Sequence, residues 1–202
     1  MDKQQLIAHL KEKGFEESLL AAFQAVDRER YVPEHLRMYA YEDTALPTQH
    51  GHILAAPSTI AFMLRLLEPA QAHKLLEIGS GSGYVLALLQ QLAPHADIYG
   101  VEIIPDLATQ SRKILPSANI HIFPQSGLHG LPEHTPFDRI LVSAAANDKQ
   151  TLINLIPQLS PTGLLVGPAG NALLQVRMLP QPQEPLLTTF PGFQFVPLQK
   201  EE

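Results

Sequence analysis

The stretch Leu75-Leu76-Glu77-Ile78-Gly79-Ser80-Gly81-Ser82-Gly83 joins an apolar run, an acid and three alternating glycines. Glycines at such spacing allow positive φ angles and let a ligand approach the main chain closely. The pattern is G-x-G-x-G, not the G-x-G-x-x-G of a dinucleotide pyrophosphate site. Glu77 stands just before the loop, where a carboxylate suits a cofactor bearing cations rather than phosphates. S-Adenosylmethionine, with its ammonium and sulfonium groups, has that chemistry. Glu102 follows Gly83 by nineteen positions and closes a second apolar run. A carboxylate at the end of a second strand can accept both hydroxyls of a ribose. The pair points to a nucleoside-containing cofactor, and to a methyltransferase rather than a nicotinamide dehydrogenase. Without a ligand the same residues would form a tight turn and two solvated strand-end acids. The alignment of strand, glycine loop, helix and acid favours the cofactor reading.

Alternating strands and helices would position these residues. Apolar runs predict strands over 74–78, 97–101, 120–123, 137–143 and 163–167, with helices over 84–92, 107–115 and 152–159. That alternation implies parallel crossovers and a sheet covered on both faces. Two further strands, 173–179 and 193–197, follow without a helix between them and predict an antiparallel edge pair. Upstream, amphipathic spacing predicts helices over 4–13, 16–26 and 58–67. Residues 27–57 carry aromatic and proline punctuation but no periodicity, and a loop of that length is usually functional. The expected organisation is an N-terminal helical extension and covering loop over 1–57, then a Rossmann-like domain over 58–202, together one compact unit.

Composition narrows the functional classes. Cysteine is absent, which removes disulfides, thiolate metal sites and cysteine nucleophiles. A net charge of −6 with scattered basic residues argues against nucleic acid as a partner. The N-terminal residues lack the apolar run of a signal peptide, and no segment has the apolar length of a membrane span, so a cytoplasmic protein is expected. Nine histidines are dispersed without metal-ligand spacing, and no metal site is expected. Asp138, at the start of the fourth strand, reads as a structural acid capping nearby backbone groups.

Longer motifs add a resemblance. Asp27-Arg28-Glu29-Arg30-Tyr31-Val32-Pro33, Ala40-Tyr41-Glu42-Asp43 with Leu46-Pro47, and His50-Gly51 leading into Pro57 occur in order before the glycine loop. Gly100-Val101-Glu102 with Ile104-Pro105-Asp106-Leu107, Pro136-Phe137-Asp138-Arg139-Ile140 with Ala144-Ala145-Ala146, and Phe195-Val196-Pro197-Leu198 follow it. Across nearly the whole chain this order resembles the protein-L-isoaspartate O-methyltransferase family. The resemblance implies an α/β fold of the Rossmann-like class I methyltransferase type: a central, mostly parallel sheet, helices on both faces, antiparallel C-terminal edge strands and an N-terminal helical extension. It implies S-adenosyl-L-methionine as cofactor, held by Glu77, Gly79, Gly81, Gly83, Glu102, Ser126 and Gly127. The implied reaction is methyl transfer to the α-carboxylate of L-isoaspartyl residues in damaged proteins, a protein-repair activity whose partners are isoaspartyl proteins or peptides.

Two departures from the family pattern bear on that reaction. The family's active-site serine falls on Ala55 and a family threonine on Ile53, so two hydroxyls are missing where an acceptor carboxylate would sit. His50 and His52 are the candidate replacement donors, although both read as exposed loop residues, His52 in particular. After the third strand, a family Gly-Asp-Gly is here Gln125-Ser126-Gly127, which puts an uncharged hydroxyl in place of a carboxylate. Methyl transfer to an ionised carboxylate needs no general base. These losses therefore imply weaker orientation, a changed acceptor, or a cofactor-binding or interaction protein without catalysis.

Overall fold

Successive side chains of a strand point to opposite faces of its sheet, and here both faces are apolar. The computed structural model describes residues 1–48, 51–115, 117–144, 149–180 and 183–193. Strands β1 (Leu46–Pro47) and β2 (Ile53–Leu54) form a small antiparallel ladder. Strands β3 (Lys74–Ile78), β4 (Asp97–Val101), β5 (Ile120–Phe123), β6 (Phe137–Val142), β7 (Leu159–Ala169), β8 (Ala172–Arg177) and β9 (Leu186–Pro191) form one seven-stranded sheet. Its order is β5-β4-β3-β6-β7-β8-β9. The pairings from β5 to β7 are parallel, and β8 and β9 are antiparallel. This is the Rossmann-like arrangement expected for a class I methyltransferase.

Among the described residues, six α-helices accompany the sheet: α1 (Lys3–Glu12), α2 (Glu17–Ala25), α3 (Pro57–Leu67), α4 (Tyr84–Leu92), α5 (Pro105–Ile114) and α6 (Lys149–Ile153). On one sheet face Leu75, Ile98, Leu141, Val166 and Leu173 pack with residues of α1 to α5, including Leu10, Phe23, Leu64, Leu86 and Ala108. On the other, Leu76, Ile78, Ile140, Val142, Leu165 and Leu174 pack with Leu131, Leu152 and Leu155. Neighbours such as Leu75 and Leu76 serve opposite cores, which is why these strands read as continuous apolar runs.

Local chemistry sets the helix ends. Asp2 and Gln5 form a reciprocal capping box at the start of α1. Pro57 opens α3, where its missing N–H costs no helical bond. The Asp43 carboxylate accepts the Ser58 N–H at 2.8 Å on that first turn.

Three expectations change. The helix over 152–159 is instead α6, a 3-10 turn at Ile156–Gln158, and a strand that already begins at Leu159. Pro157 lacks the N–H that a continuous helix requires. The last described strand is β9, at positions where no strand was expected. Its residues are largely exposed, so it carries little apolar alternation, and its edge position tolerates Pro191. Phe193 lies beyond that strand, and residues 194–197 are outside the described residues. Within 27–57 the structure places two 3-10 turns, Arg28–Tyr31 and Glu34–Tyr39, and the β1–β2 ladder. No described helix is long and apolar enough to cross a membrane.

Asp138 has the expected structural role. Its carboxylate accepts the backbone N–H groups of His73 at 2.9 Å and Lys74 at 3.1 Å, and the Ser160 hydroxyl at 3.1 Å. It thereby fastens the start of β3 to β6 and β7. Asp138→Ala is expected to lower unfolding free energy by about 1–3 kcal/mol, read from urea denaturation. An unchanged midpoint would mean that water replaces these bonds without loss.

Candidate active site

The chain runs outward from β3 to β4 and β5, then returns to place β6 on the other side of β3. Ligands of open α/β sheets bind at such a reversal, beyond the carboxyl ends of the strands. A cavity of ≈ 480 Å³ lies there. Its floor comes from the ends of β3, β4 and β6, through Glu77, Gly79–Ser82, Val101–Ile103, Leu141, Ser143 and Ala144, with Gly127 from the segment after β5. Its other wall comes from Ala45, Thr48 and residues 51–56, and from Thr59, Ile60 and Met63 of α3.

The three loop glycines all have positive φ but different surroundings. At Gly83 a Cβ would come within 2.8 Å of Leu115 Cδ1 and 3.0 Å of Ser111 Cβ, so this glycine lets α4 lie close to α5. At Gly81 (φ 52°) a Cβ would meet nothing within 4 Å. The Gly81 main chain therefore faces open space in the cavity, the close-approach surface a ligand needs.

Glu102 is buried, and both carboxylate oxygens bind main chain. Oε2 accepts the Gly81 N–H at 2.7 Å and Oε1 accepts the Ile104 N–H at 2.9 Å. The acid thus fixes the glycine loop to the end of β4. Each oxygen retains a further acceptor site. Glu77 is also buried. Its Oε1 accepts the Ser143 hydroxyl at 2.6 Å, and its Oε2 has no hydrogen-bond partner. Burial pushes its carboxyl up to about 8; the Ser143 bond opposes that rise, and the Glu102 charge adds to it. The Ser80 and Ser82 hydroxyls of the loop are likewise buried and unpartnered. Unsatisfied buried groups gathered on one cavity wall are what a polar ligand would satisfy.

Arg28 holds the opposite wall. Its side chain is fully buried (0% exposed). The guanidinium donates to the carbonyls of Ala40 (3.2 Å), Glu42 (3.3 Å), Thr44 (3.4 Å) and Ala55 (2.9 Å). It also lies 5.7 Å from the Tyr84 ring centroid at the start of α4. Burial lowers its pKa to about 10, against the opposing influence of Tyr84 and Asp43, and it remains a cation at neutral pH. One cation therefore ties the covering segment to the helix that follows the glycine loop. Sequence reading placed Arg28 in a motif without giving it this task. Its neighbours Asp27, Glu29 and Arg30 are charged, so the local sequence reads as a solvated run and carries no sign of burial.

The structure brings Ala55, His52, Glu77, Gly79, Gly81, Glu102 and Gly127 to the same cavity. Gly83 caps α4 just behind the loop. Ser126 is not among the lining residues, and its hydroxyl accepts the Leu128 N–H at 3.4 Å. His50, Ala145 and Ala146 lie outside the described residues. His52 is not the exposed residue its loop position predicted. It is half-buried, and its Nε2 is enclosed without a partner, because the β1–β2 ladder folds the loop back over the cavity. Ile53 keeps much of its surface exposed (47%). Among the described residues no group of three or more histidines or acids is placed to hold a metal ion.

Comparisons with known proteins agree with this geometry. The family model for protein-L-isoaspartate(D-aspartate) O-methyltransferase matches residues 1–202. A protein-L-isoaspartate O-methyltransferase of Methanocella arvoryzae is 40% identical over 178 residues, covering 86% of this chain and 94% of that relative. One of Ignicoccus hospitalis is 35% identical over 210 residues, covering 99% and 98%. A solved protein-L-isoaspartate O-methyltransferase superposes with a TM-score of 0.85 at 20% identity, covering 98% of this chain and 66% of that one. A Plasmodium falciparum structure described as such an enzyme in complex with S-adenosyl-L-homocysteine gives 0.82 at 22% identity, covering all of both chains.

The raised Glu77 carboxyl has a consequence for stability. The unfolded chain loses this proton near pH 4.3, whereas the folded protein keeps it to about 8. Between those values the folded state binds more protons, so stability falls as pH rises. In cofactor-free protein, Glu77→Gln is expected to lose less stability than the parent between pH 5 and pH 8.5, read from urea midpoints. Parallel pH profiles would contradict the assignment.

Proposed function

Because the chain belongs to the protein-L-isoaspartate(D-aspartate) O-methyltransferase family, we propose that it methylates the α-carboxylate of L-isoaspartyl residues in damaged proteins, with S-adenosyl-L-methionine as methyl donor. The observation that carries this reading is the meeting in one cavity of an open Gly81 main chain, an unpartnered Glu77 oxygen and a buried Glu102. Those groups fit the cofactor. The free acceptor sites of Glu102 suit two ribose hydroxyls. The unpartnered Oε2 of Glu77 suits an ammonium, whose charge would favour the ionised carboxylate. Gly79, Gly81 and Gly83 shape the loop beneath it. Gly127 borders the adenine end with Ser126 beside it. A Cβ at Gly127 would stand 2.3 Å from Ile78 Cγ2, so only glycine lets that segment lie against the end of β3.

The bound cofactor supplies an electrophilic methyl group on a sulfonium, and the acceptor oxygen bonds to it as the carbon–sulfur bond breaks to leave a thioether. No proton moves, because the acceptor carboxylate is ionised near neutral pH. The chain's own contribution is to hold that carboxylate in line and to exclude water. The covering segment fastened by Arg28, with Leu54, Ala55 and Ala56 on the cavity wall, serves both ends.

Transfer from labelled S-adenosylmethionine to an isoaspartyl peptide, beside its aspartyl isomer and with S-adenosylhomocysteine titrated by calorimetry, tests the reading. Turnover confined to the isoaspartyl peptide is expected. Cofactor binding without that turnover would overturn the acceptor assignment, and absence of cofactor binding would overturn the whole reading.

A further inference from the structure

The cavity wall opposite the glycine loop is mostly apolar, formed by Ala45, Leu54, Ala55, Ala56, Ile60 and Met63. A carboxylate moved from water against such a wall must find a hydrogen-bond donor. Position 55 offers only a methyl group. On the floor, Glu77 and Glu102 would repel an anion, and the Ser80 and Ser82 hydroxyls belong to the loop assigned to the cofactor. Among the described residues, the polar side chains left on the covering side are those of Thr48, His52 and Thr59. His52 alone among these three has a buried side-chain atom without a partner, its ring Nε2.

The backbone holds that ring in place. The Thr48 N–H donates to the His52 carbonyl at 2.7 Å, and the next residue, Ile53, pairs with Pro47 across the β1–β2 ladder. Leu54 is buried, and the Ala55 carbonyl is bound by Arg28 at 2.9 Å. His52 thus stands at the head of the β1–β2 ladder, which runs on directly into the buried Arg28 contact at Ala55. An enclosed polar atom without a partner costs about 1–3 kcal/mol, a cost removed when a ligand supplies the partner.

We propose that His52, donating from Nε2–H, binds the carboxylate of the methyl acceptor and is the acceptor-orienting residue of this chain. The proposal rests on the methyl-transfer reading above. It assigns the acceptor subsite one donor in an apolar wall, which selects an anionic carboxylate beside small or apolar groups. The imidazole takes no proton from the acceptor; its part is orientation through one hydrogen bond.

The test compares the parent with His52→Ala, His52→Gln, the exposed-residue control His95→Ala and the double variant His52→Ala with Ala55→Ser. kcat/KM for an isoaspartyl peptide and calorimetric affinity for S-adenosylhomocysteine are read for each, with thermal midpoints to establish folding. Loss of one hydrogen bond to a charged group corresponds to a fall of about ten- to hundredfold. His52→Ala is expected to lose that much in kcat/KM while keeping its affinity for S-adenosylhomocysteine. His52→Gln, which retains an N–H donor, and the serine-bearing double variant should recover part of the loss, and His95→Ala, at an exposed histidine outside the cavity, should show none. Parental kcat/KM in His52→Ala overturns the proposal alone, as does an equal loss of S-adenosylhomocysteine affinity. If the parent binds S-adenosylhomocysteine but neither binds nor methylates the isoaspartyl peptide, the acceptor reading falls and the proposal with it.

Discussion

A single buried cation holds the covering wall of the site in place. Taking a guanidinium out of water costs several kcal/mol even after relaxation. Arg28 meets that cost with four main-chain carbonyls and an aromatic face rather than a carboxylate in direct contact. The planar fork of arginine can reach several carbonyls at fixed angles, which a lysine ammonium cannot do. Three of those carbonyls lie within residues 40–44 and the fourth is that of Ala55, so the covering segment is gathered at both ends around one group. Asp43 reinforces the arrangement. It accepts the Ser58 N–H of α3 and the His9 ring at 3.0 Å from α1. Burial alone would raise the Asp43 carboxyl, but Ser58, His9 and Lys13 outweigh that and hold it below the usual carboxylate range.

The cofactor side depends on a different device. Glu102 bonds to the loop N–H that needs fixing, and the parallel strands deliver Glu77, the glycines and Ser143 to the same edge of the sheet. The two acids differ because their surroundings differ. Glu102 accepts a backbone N–H on each oxygen, whereas Glu77 has one hydroxyl and an unpartnered oxygen. A site that keeps a carboxyl protonated until a cation arrives couples cofactor binding to proton release. The two walls are joined by the Arg28–Tyr84 contact but are built from separate hydrogen bonds, so a change at Arg28 should weigh more on the acceptor than on the cofactor.

Much of the cofactor wall was legible in the sequence, because it is written locally. The run from Leu75 to Gly83 places strand, loop and helix cap within nine residues, and Glu102 directly follows the very next strand. The apolar runs of β3 to β6 are equally direct, since both faces of the sheet are buried. The covering wall was not legible, because it is made by contacts from Arg28 to carbonyls up to 27 positions away and by strands only two residues long. Nothing in the local pattern of 27–57 distinguishes a pinned wall from an exposed loop, and His52 was misread for that reason. β9 was missed on opposite grounds: it is a regular strand, but its exposed edge leaves no apolar alternation to read. Pro157 carried a readable signal that a helix through 152–159 should have heeded.

The central claim is that Arg28 builds the acceptor wall while leaving the cofactor wall to Glu102 and the glycine loop. The most direct measurement is a paired one on folded Arg28→Lys protein: calorimetric affinity for S-adenosylhomocysteine, and kcat/KM for an isoaspartyl peptide. Lysine keeps the charge but loses the fork. The loss in kcat/KM should exceed the loss in S-adenosylhomocysteine affinity by about tenfold or more, the worth of one charge-assisted hydrogen bond. Equal losses in both, or peptide turnover at the parental level, would contradict the division of the site into two separately held walls.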